Sequence, residues 1–183
     1  MTTIRRVVVA MLACCWLGAL GVSAAPLPGA RPAALKLANG VNNVKLGSLA
    51  LRLLKGKVGL GTAASYDTYT IYLILDDGEQ QWMQVTSSEP RGVGYNFRTI
   101  ESGDANLRAV AFYVESNHLY VVQATKIGNP VDANGSRRTP FDFEVFRFNE
   151  SEDVPRFNSE HKSRSRAGYV DGSEALEREF FAR

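Results

Sequence analysis

Apolar and polar residues alternate in several short runs along the chain, and this pattern predicts β-strands separated by turns. The run 68–75 is rich in β-branched and aromatic residues and is apolar on both faces, as in a central strand covered on both sides. Residues 141–145 alternate apolar with acidic, so Phe141, Phe143 and Val145 are predicted to face the core. Further strands are predicted over residues 41–46, 48–54, 81–85, 95–100, 107–114 and 119–125.

About seven to nine short strands are predicted in all, at spacings of roughly 8 to 12 residues. This spacing is typical of an all-β fold, either an antiparallel β-sandwich or a barrel-like sheet. No strand is followed by an amphipathic segment of helix length, which argues against a parallel βαβ architecture. Near the end of the chain, Asp171 and Glu174 have the spacing of a capping box. We therefore expect a short C-terminal helix that docks on the sheet through Leu176 and Phe180.

The N-terminal residues have the pattern of a secretory signal peptide. Arg5 and Arg6 precede the apolar run 7–22, and small residues lead up to Ala24. We expect cleavage after Ala24 and a periplasmic or secreted protein. The apolar run is short for a bilayer span, which needs roughly 20 residues, so no stable membrane insertion is expected after cleavage. The predicted organisation is a signal peptide over 1–24, a flexible leader over 25–34, a β-sandwich domain over 35–150 and a polar tail over 151–183 that ends in the short helix.

The chain after residue 24 has few of the residues and motifs that enzymes use in catalysis. Both cysteines, Cys14 and Cys15, lie in the predicted signal peptide, where lipidation of one of them is a remaining alternative. His118 and His161 are expected to be exposed, and neither has a carboxylate at a metal-ligand spacing. No motif of a serine hydrolase, zinc hydrolase or β-lactamase occurs. We therefore predict no catalytic residue, no metal site, no cofactor and no enzymatic activity.

A carboxylate-based hydrolase remains an alternative, because a glycosidase needs only two acidic residues on separate elements. Asp76, Asp77 and Glu79 form the densest acidic cluster, but they lie at a predicted hairpin turn, where such residues are favoured for backbone reasons. The loop that begins at Asp132 is also interpreted as a turn, because it lacks the later acidic ligand of a calcium loop.

Composition and charge narrow the classes of function further. The chain is 45% hydrophobic and 22% charged, which excludes a disordered or coiled-coil protein. Residues 26–65 contain six basic residues and no acidic one, whereas acidic residues are in excess from residue 66 onward. We expect the two oppositely charged parts to attract each other. No nucleic-acid partner is predicted, because the basic segment has no aromatic residue before Tyr66 and no recognised motif.

Aromatic side chains are the best candidates for binding a ligand. Trp82, Tyr95 and Phe97 lie on neighbouring predicted strands and are expected to form one apolar face beside Arg91 or Arg98. A guanidinium group there suits a carboxylate-bearing ligand. The alternative is that these aromatic residues belong to the core, as most aromatic residues of a sandwich do.

Three stretches, 37–47, 66–72 and 102–107, resemble the periplasmic carbapenem self-resistance proteins of the CarG type. With residues 124–126 and 143–148, the resemblance spans about residues 35–150. It implies a small, exported β-rich protein that protects its cell from a β-lactam without a known hydrolytic site. It supplies no functional residues, and the charged tail from residue 149 onward departs from the family pattern.

The leading hypothesis is therefore an exported, non-enzymatic binding or protective protein that confers tolerance of a β-lactam, such as a carbapenem. Its partner is either the small molecule itself or an envelope protein. The alternative is an immunity or inhibitor protein that blocks a toxin or envelope hydrolase. Its partner-binding element would be the loop 128–140, which carries Arg137 and Arg138.

Overall fold

The computed structural model describes residues 33–61, 65–75, 81–89, 92–102, 105–128, 137–151 and 154–182. The predicted signal peptide with Cys14 and Cys15 lies outside these residues. So do the carboxylates of the turn, Asp76, Asp77 and Glu79, and the loop that begins at Asp132. Within the described residues, no helix has the length and apolar character needed to cross a membrane.

Strands make up most of the described chain, and one short helical segment follows them. In chain order the strands are β1 (Gly40–Leu46), β2 (Leu49–Gly59), β3 (Ser65–Leu75), β4 (Gln81–Glu89), β5 (Gly92–Gly94), β6 (Phe97–Arg98), β7 (Ile100–Ser102), β8 (Ala105–Glu115), β9 (His118–Lys126), β10 (Phe141–Asn149) and β11 (Arg156–Arg164). The α-helix α1 (Gly172–Ala175) runs directly into a π-helical turn, Leu176–Phe180. The predicted all-β fold with a short C-terminal helix is therefore confirmed, with more strands than the sequence pattern predicted and with main strands of 7 to 11 residues.

The strands form one curled sheet in the order β1-β2-β3-β4-β11-β10-β9-β8-β7, with β5 beside β4 and β6 beside β3. All neighbours are antiparallel except β4 and β11, which pair in parallel at Thr86–Arg156 and Ser87–Phe157. The N-terminal part of β4 pairs with β3, and its C-terminal part pairs with β5 and β11. β4 thus joins a first half of the sheet, β1–β4, to a second half, β7–β11.

The main hydrophobic core lies between the two halves of the sheet. Alternate residues of the first half, including Leu53 and Ile71, pack against aromatic residues of the second half. The fully buried side chains of this core are Leu51, Leu53, Ile71, Phe112, Leu119, Val121 and Phe157. The prediction that β3 is covered on both faces was wrong. Tyr69, Ile71 and Leu73 are buried, but the residues between them are only half-buried, because no element of the described chain packs on that face.

A second core lies on the other face of the second half, where the C-terminal helical segment packs. Leu176 and Phe180 are buried there against β8, β9 and β10, as the sequence pattern predicted. Asp171 caps α1 through its side chain, which accepts hydrogen bonds from the backbone of Ser173 and Glu174. The helix comes so close to β8 that a Cβ atom on Gly172 would lie 2.9 Å from the Cβ of Ala109.

Two stretches differ from the sequence-based expectation. The predicted strand 95–100 is interrupted, and its residues fall into a bend and parts of β6 and β7. The stretch from residue 151 onward was predicted to be a polar tail, yet it contributes β11 to the sheet. Phe157 of β11 is fully buried between Phe97 and Phe148.

Candidate binding site

The outer face of β1–β4, opposite the main core, carries a patch of cationic and aromatic side chains. Strand register places Lys45, Ala50, Ile74 and Trp82 in one row across the four strands. The next row contains Asn43, Arg52, Tyr72 and Gln84. Because directly paired residues point to the same face of a sheet, these rows form one continuous surface. We call Lys45, Arg52, Tyr72, Ile74 and Trp82 the outer patch.

Trp82 is the centre of the outer patch, and 44% of its surface is exposed. The guanidinium carbon of Arg52 lies 4.3 Å from the centroid of its ring system. The ring of Tyr72 lies 5.6 Å away, centroid to centroid, at an angle of 57°. Such a cation–π contact contributes about 0.5 to 1 kcal/mol at an exposed site, enough to favour a stacked guanidinium group. The patch is therefore preorganised, with the guanidinium group of Arg52 over the ring system of Trp82.

Beside this platform lies an open groove of about 350 Å³ between the β1–β2 turn and β3. The described residues that line it include two cations, Lys45 and Arg52, and no carboxylate. Neither cation takes part in the ion pairs found among the described residues. A cationic groove beside exposed aromatic rings suits a small anion that carries a flat ring.

The structure separates the four residues that the sequence grouped as a ligand site. Tyr95 is 60% exposed, and its carbonyl oxygen accepts a hydrogen bond of 3.0 Å from Nε2 of Gln84, so it lies next to the outer patch. Arg98 pairs with Thr68 on β3, whereas Trp82 pairs with Ile74. Six residues along a strand span about 20 Å, so Arg98 and Trp82 are far apart.

Phe97 does not share an exposed face with Trp82 and Tyr95, and this part of the expectation was wrong. Its side chain is only 3% exposed, within the main core. Its ring lies 5.4 Å, centroid to centroid, from the rings of both Phe146 and Phe157, in edge-to-face geometry. Phe97 therefore contributes to stability, and Trp82 keeps its exposed surface on the other side of the sheet.

The two arginines assigned to partner binding, Arg137 and Arg138, are both exposed. Arg138 is tied to the C-terminal segment, because its guanidinium lies 3.7 Å from a carboxylate oxygen of Glu174 and donates to the carbonyl of Gly168 at 3.4 Å. Residues 129–136 of the same loop lie outside the described residues.

His118 stands at the β8–β9 hairpin, with Nδ1 2.8 Å from the carbonyl oxygen of Ser116, and His161 is exposed on β11. The described residues contain no cluster of three or more His, Cys, Asp or Glu side chains arranged to hold a metal ion.

Sequence reasoning missed Arg52 and Tyr72 as members of the site. A signal was present, because Arg52 stands between two leucines in a predicted strand and must face away from a core that both leucines enter. Its stacking on Trp82 depends on the register of β2, β3 and β4, and this register cannot be determined from the sequence alone.

Comparison with solved structures identifies a protein of the same architecture. A structure entitled "Crystal structure of CarG" superposes with a TM-score of 0.66, over 81% of this chain and 98% of that chain. This chain shares the fold of CarG. The sequence identity to CarG is 14%, and the likeness therefore concerns the fold. No protein-family model and no curated protein matches the sequence. The resemblance to CarG-type proteins noted from the sequence is thus confirmed at the level of the fold.

Proposed function

We propose that this chain is an exported, non-enzymatic binding protein that protects its cell from a β-lactam by binding it at the outer patch without hydrolysis. The observation that carries the proposal is the Arg52 guanidinium group stacked on Trp82, beside Lys45 and a groove of about 350 Å³. The fold shared with CarG and the family resemblance in the sequence support a protective role.

The chemistry of the outer patch fits a β-lactam in two respects. A β-lactam antibiotic of the carbapenem class carries a carboxylate on a compact bicyclic ring. The carboxylate can accept paired hydrogen bonds from Arg52, whose planar donors match its geometry, with Lys45 as a second positive charge. The ring system can pack on Trp82 and Tyr72. A volume of this size lies at the lower end of the range of small-molecule sites.

We propose binding without hydrolysis because Arg52 and Lys45 are assigned to the carboxylate of the drug and not to its reacting carbonyl. A hydrolase needs a nucleophile or a general base positioned at the reacting carbonyl. Trp82 and Ile74 carry no such group, and we assign Tyr72 to packing against the ring system of the drug. Bound drug is therefore expected to be released intact.

The proposal is tested by isothermal titration calorimetry of the purified protein with a carbapenem. Arg52→Gln is expected to weaken binding by about ten- to a hundredfold, as expected for the loss of a charge-assisted hydrogen bond. Trp82→Ala is expected to weaken it by about tenfold through lost stacking. Arg178→Gln is the matched control, because Arg178 is an exposed arginine on the C-terminal helical segment, away from β1–β4, and it should bind like the wild type.

Mass spectrometry of the drug after incubation gives the second readout. An unchanged mass supports binding without hydrolysis, whereas addition of one water molecule would show that the protein is a hydrolase. If no heat of binding is measured and one protein partner co-purifies in stoichiometric amount, the small-molecule proposal is refuted and the immunity or inhibitor alternative is favoured.

A further inference from the structure

A second open groove, of about 700 Å³, lies on the face of the second half of the sheet that also bears the main core. Beyond the edge of that core, the same face of β8–β11 becomes polar. Strand register places Arg108, Thr125, Asp142 and Arg164 in one row across the four strands. The groove is therefore built on rigid, paired backbone and not on loops.

The two carboxylates of this groove already have cationic partners on β11. The Asp142 carboxylate accepts two hydrogen bonds from Arg164, at 2.8 Å from Nε and 3.4 Å from Nη2. The Glu144 carboxylate lies 2.9 Å from Nζ of Lys162 and accepts a hydrogen bond of 2.7 Å from the hydroxyl of Ser159. The positive charges of β11 in this groove are thus matched by the acids of β10.

Arg108 has no such partner. Its Nε donates to the hydroxyl of Thr125 at 3.3 Å, and it takes part in no ion pair among the described residues. Burial lowers the pKa of Arg108, and the positive charge of Arg98 lowers it further, although Glu89 and Glu144 act in the opposite direction. A half-buried guanidinium group that forms no ion pair is unfavourable, and a bound anion would relieve that cost.

We propose that Arg108, together with the Thr125 hydroxyl, binds the oxyanion of a small molecule, either a carboxylate or a phosphate group. The guanidinium group of Arg108 supplies paired N–H donors, which match the geometry of a carboxylate or phosphate group. The Thr125 hydroxyl accepts from Arg108 and still has its own hydrogen to donate to the ligand. The site is independent of the outer patch, because Arg108 and Thr125 lie on β8 and β9 and the outer patch lies on β1–β4.

The test is a titration of the purified protein with sodium phosphate and, separately, with sodium malonate, at an ionic strength held constant with sodium chloride. At ten times the dissociation constant, the anion is expected to raise the Tm by about 4 °C for a domain of this size. A rise with malonate but not phosphate assigns the site to carboxylates, and the reverse assigns it to phosphates. The lack of a rise with either anion overturns the proposal.

Single substitutions test whether the anion binds at Arg108. Arg108→Gln is expected to lower the affinity for the anion by about tenfold or more, measured by calorimetry so that a change in its basal Tm does not obscure the result. Arg164→Gln, which alters an arginine of the same groove that is already paired with Asp142, should retain the affinity. Arg52→Gln should also retain it, which separates this site from the outer patch. Wild-type affinity in Arg108→Gln, or an equal loss in Arg164→Gln, overturns the assignment.

Discussion

Asp171 connects the C-terminal segment to the sheet through three hydrogen bonds from backbone N–H groups. Its Oδ1 accepts from Ser173 at 2.7 Å and from Glu174 at 3.4 Å, which caps α1. Its Oδ2 accepts from the backbone N–H of Asn106, at the start of β8, at 2.7 Å. We predict that Asp171→Ala lowers the free energy of unfolding substantially, because it removes all three acceptor contacts at once.

The magnitude follows from the two kinds of contact. Loss of a helix N-cap costs about 1 kcal/mol. The N–H group of Asn106 is partly buried, and leaving such a donor without its acceptor costs about 1 to 3 kcal/mol. Together these losses give about 3 kcal/mol, which corresponds to a fall in Tm of roughly 9 °C for a domain of this size.

Chemical denaturation followed by circular dichroism measures this difference, with the Tm from calorimetry as a second readout. Asp171→Asn is the matched variant, because it keeps one side-chain oxygen as an acceptor, and it should lose less than half as much stability. A loss below about 0.5 kcal/mol for Asp171→Ala, the size expected of an ordinary surface substitution, would refute the reasoning. It would show that water replaces the carboxylate at Asn106 and at the helix terminus.

Two further predictions concern the C-terminal third of the chain. Phe157→Ala should cost about 3 to 5 kcal/mol of unfolding free energy, because the ring is fully buried, whereas Val154→Ala, at a residue that is 46% exposed, should change stability by less than about 0.5 kcal/mol. Equal effects of the two would contradict the placement of β11 in the core. Burial by itself raises the pKa of Glu179, but hydrogen bonds from the backbone of Arg166 and Ala167 and from the Tyr169 hydroxyl outweigh it, so the pKa lies below its ordinary value of 4.5. The stability contributed by the ionised Glu179 carboxylate is fully present above the ordinary pKa of 4.5 and is lost as the pH falls through the lowered pKa. Urea denaturation between about pH 7 and about pH 3 should therefore show a smaller loss of unfolding free energy on acidification for Glu179→Gln than for the wild type. The same pH dependence in both proteins would refute this prediction.

The sequence predicted those strands in which burial alone determines the pattern. In β10, Phe141, Phe143 and Val145 are all buried, and Asp142 between them is exposed, as alternation requires. The β8–β9 hairpin was also predicted, and its turn residues Ser116 and Asn117 have positive φ angles of 48° and 63°. Here local sequence and tertiary packing favour the same structure.

β11 was missed because the reason for its strand structure lies on another strand. Its sequence is polar apart from Phe157, so it gives no periodic signal. In the folded chain, Lys162 and Arg164 face Glu144 and Asp142 of β10 across the sheet. The pattern of opposite charges is clear only after the two strands are aligned.

The same limit explains which parts of the candidate sites could be predicted. The excess of basic residues in 26–65 is a property of the sequence, and we expected it to be neutralised by the acidic remainder. Among the described residues, one cation of this segment does form an ion pair, Lys55 with Asp67 at 3.0 Å, while Lys45 and Arg52 remain on the outer patch. Counting charges cannot distinguish these two outcomes, because Arg52 and Lys55 lie on the same strand, β2, and only the register with β3 shows which residue each of them faces. An arginine becomes a candidate for binding when the fold brings it to an aromatic ring or a groove and it forms no ion pair within the described part of the chain, as is the case for Arg52.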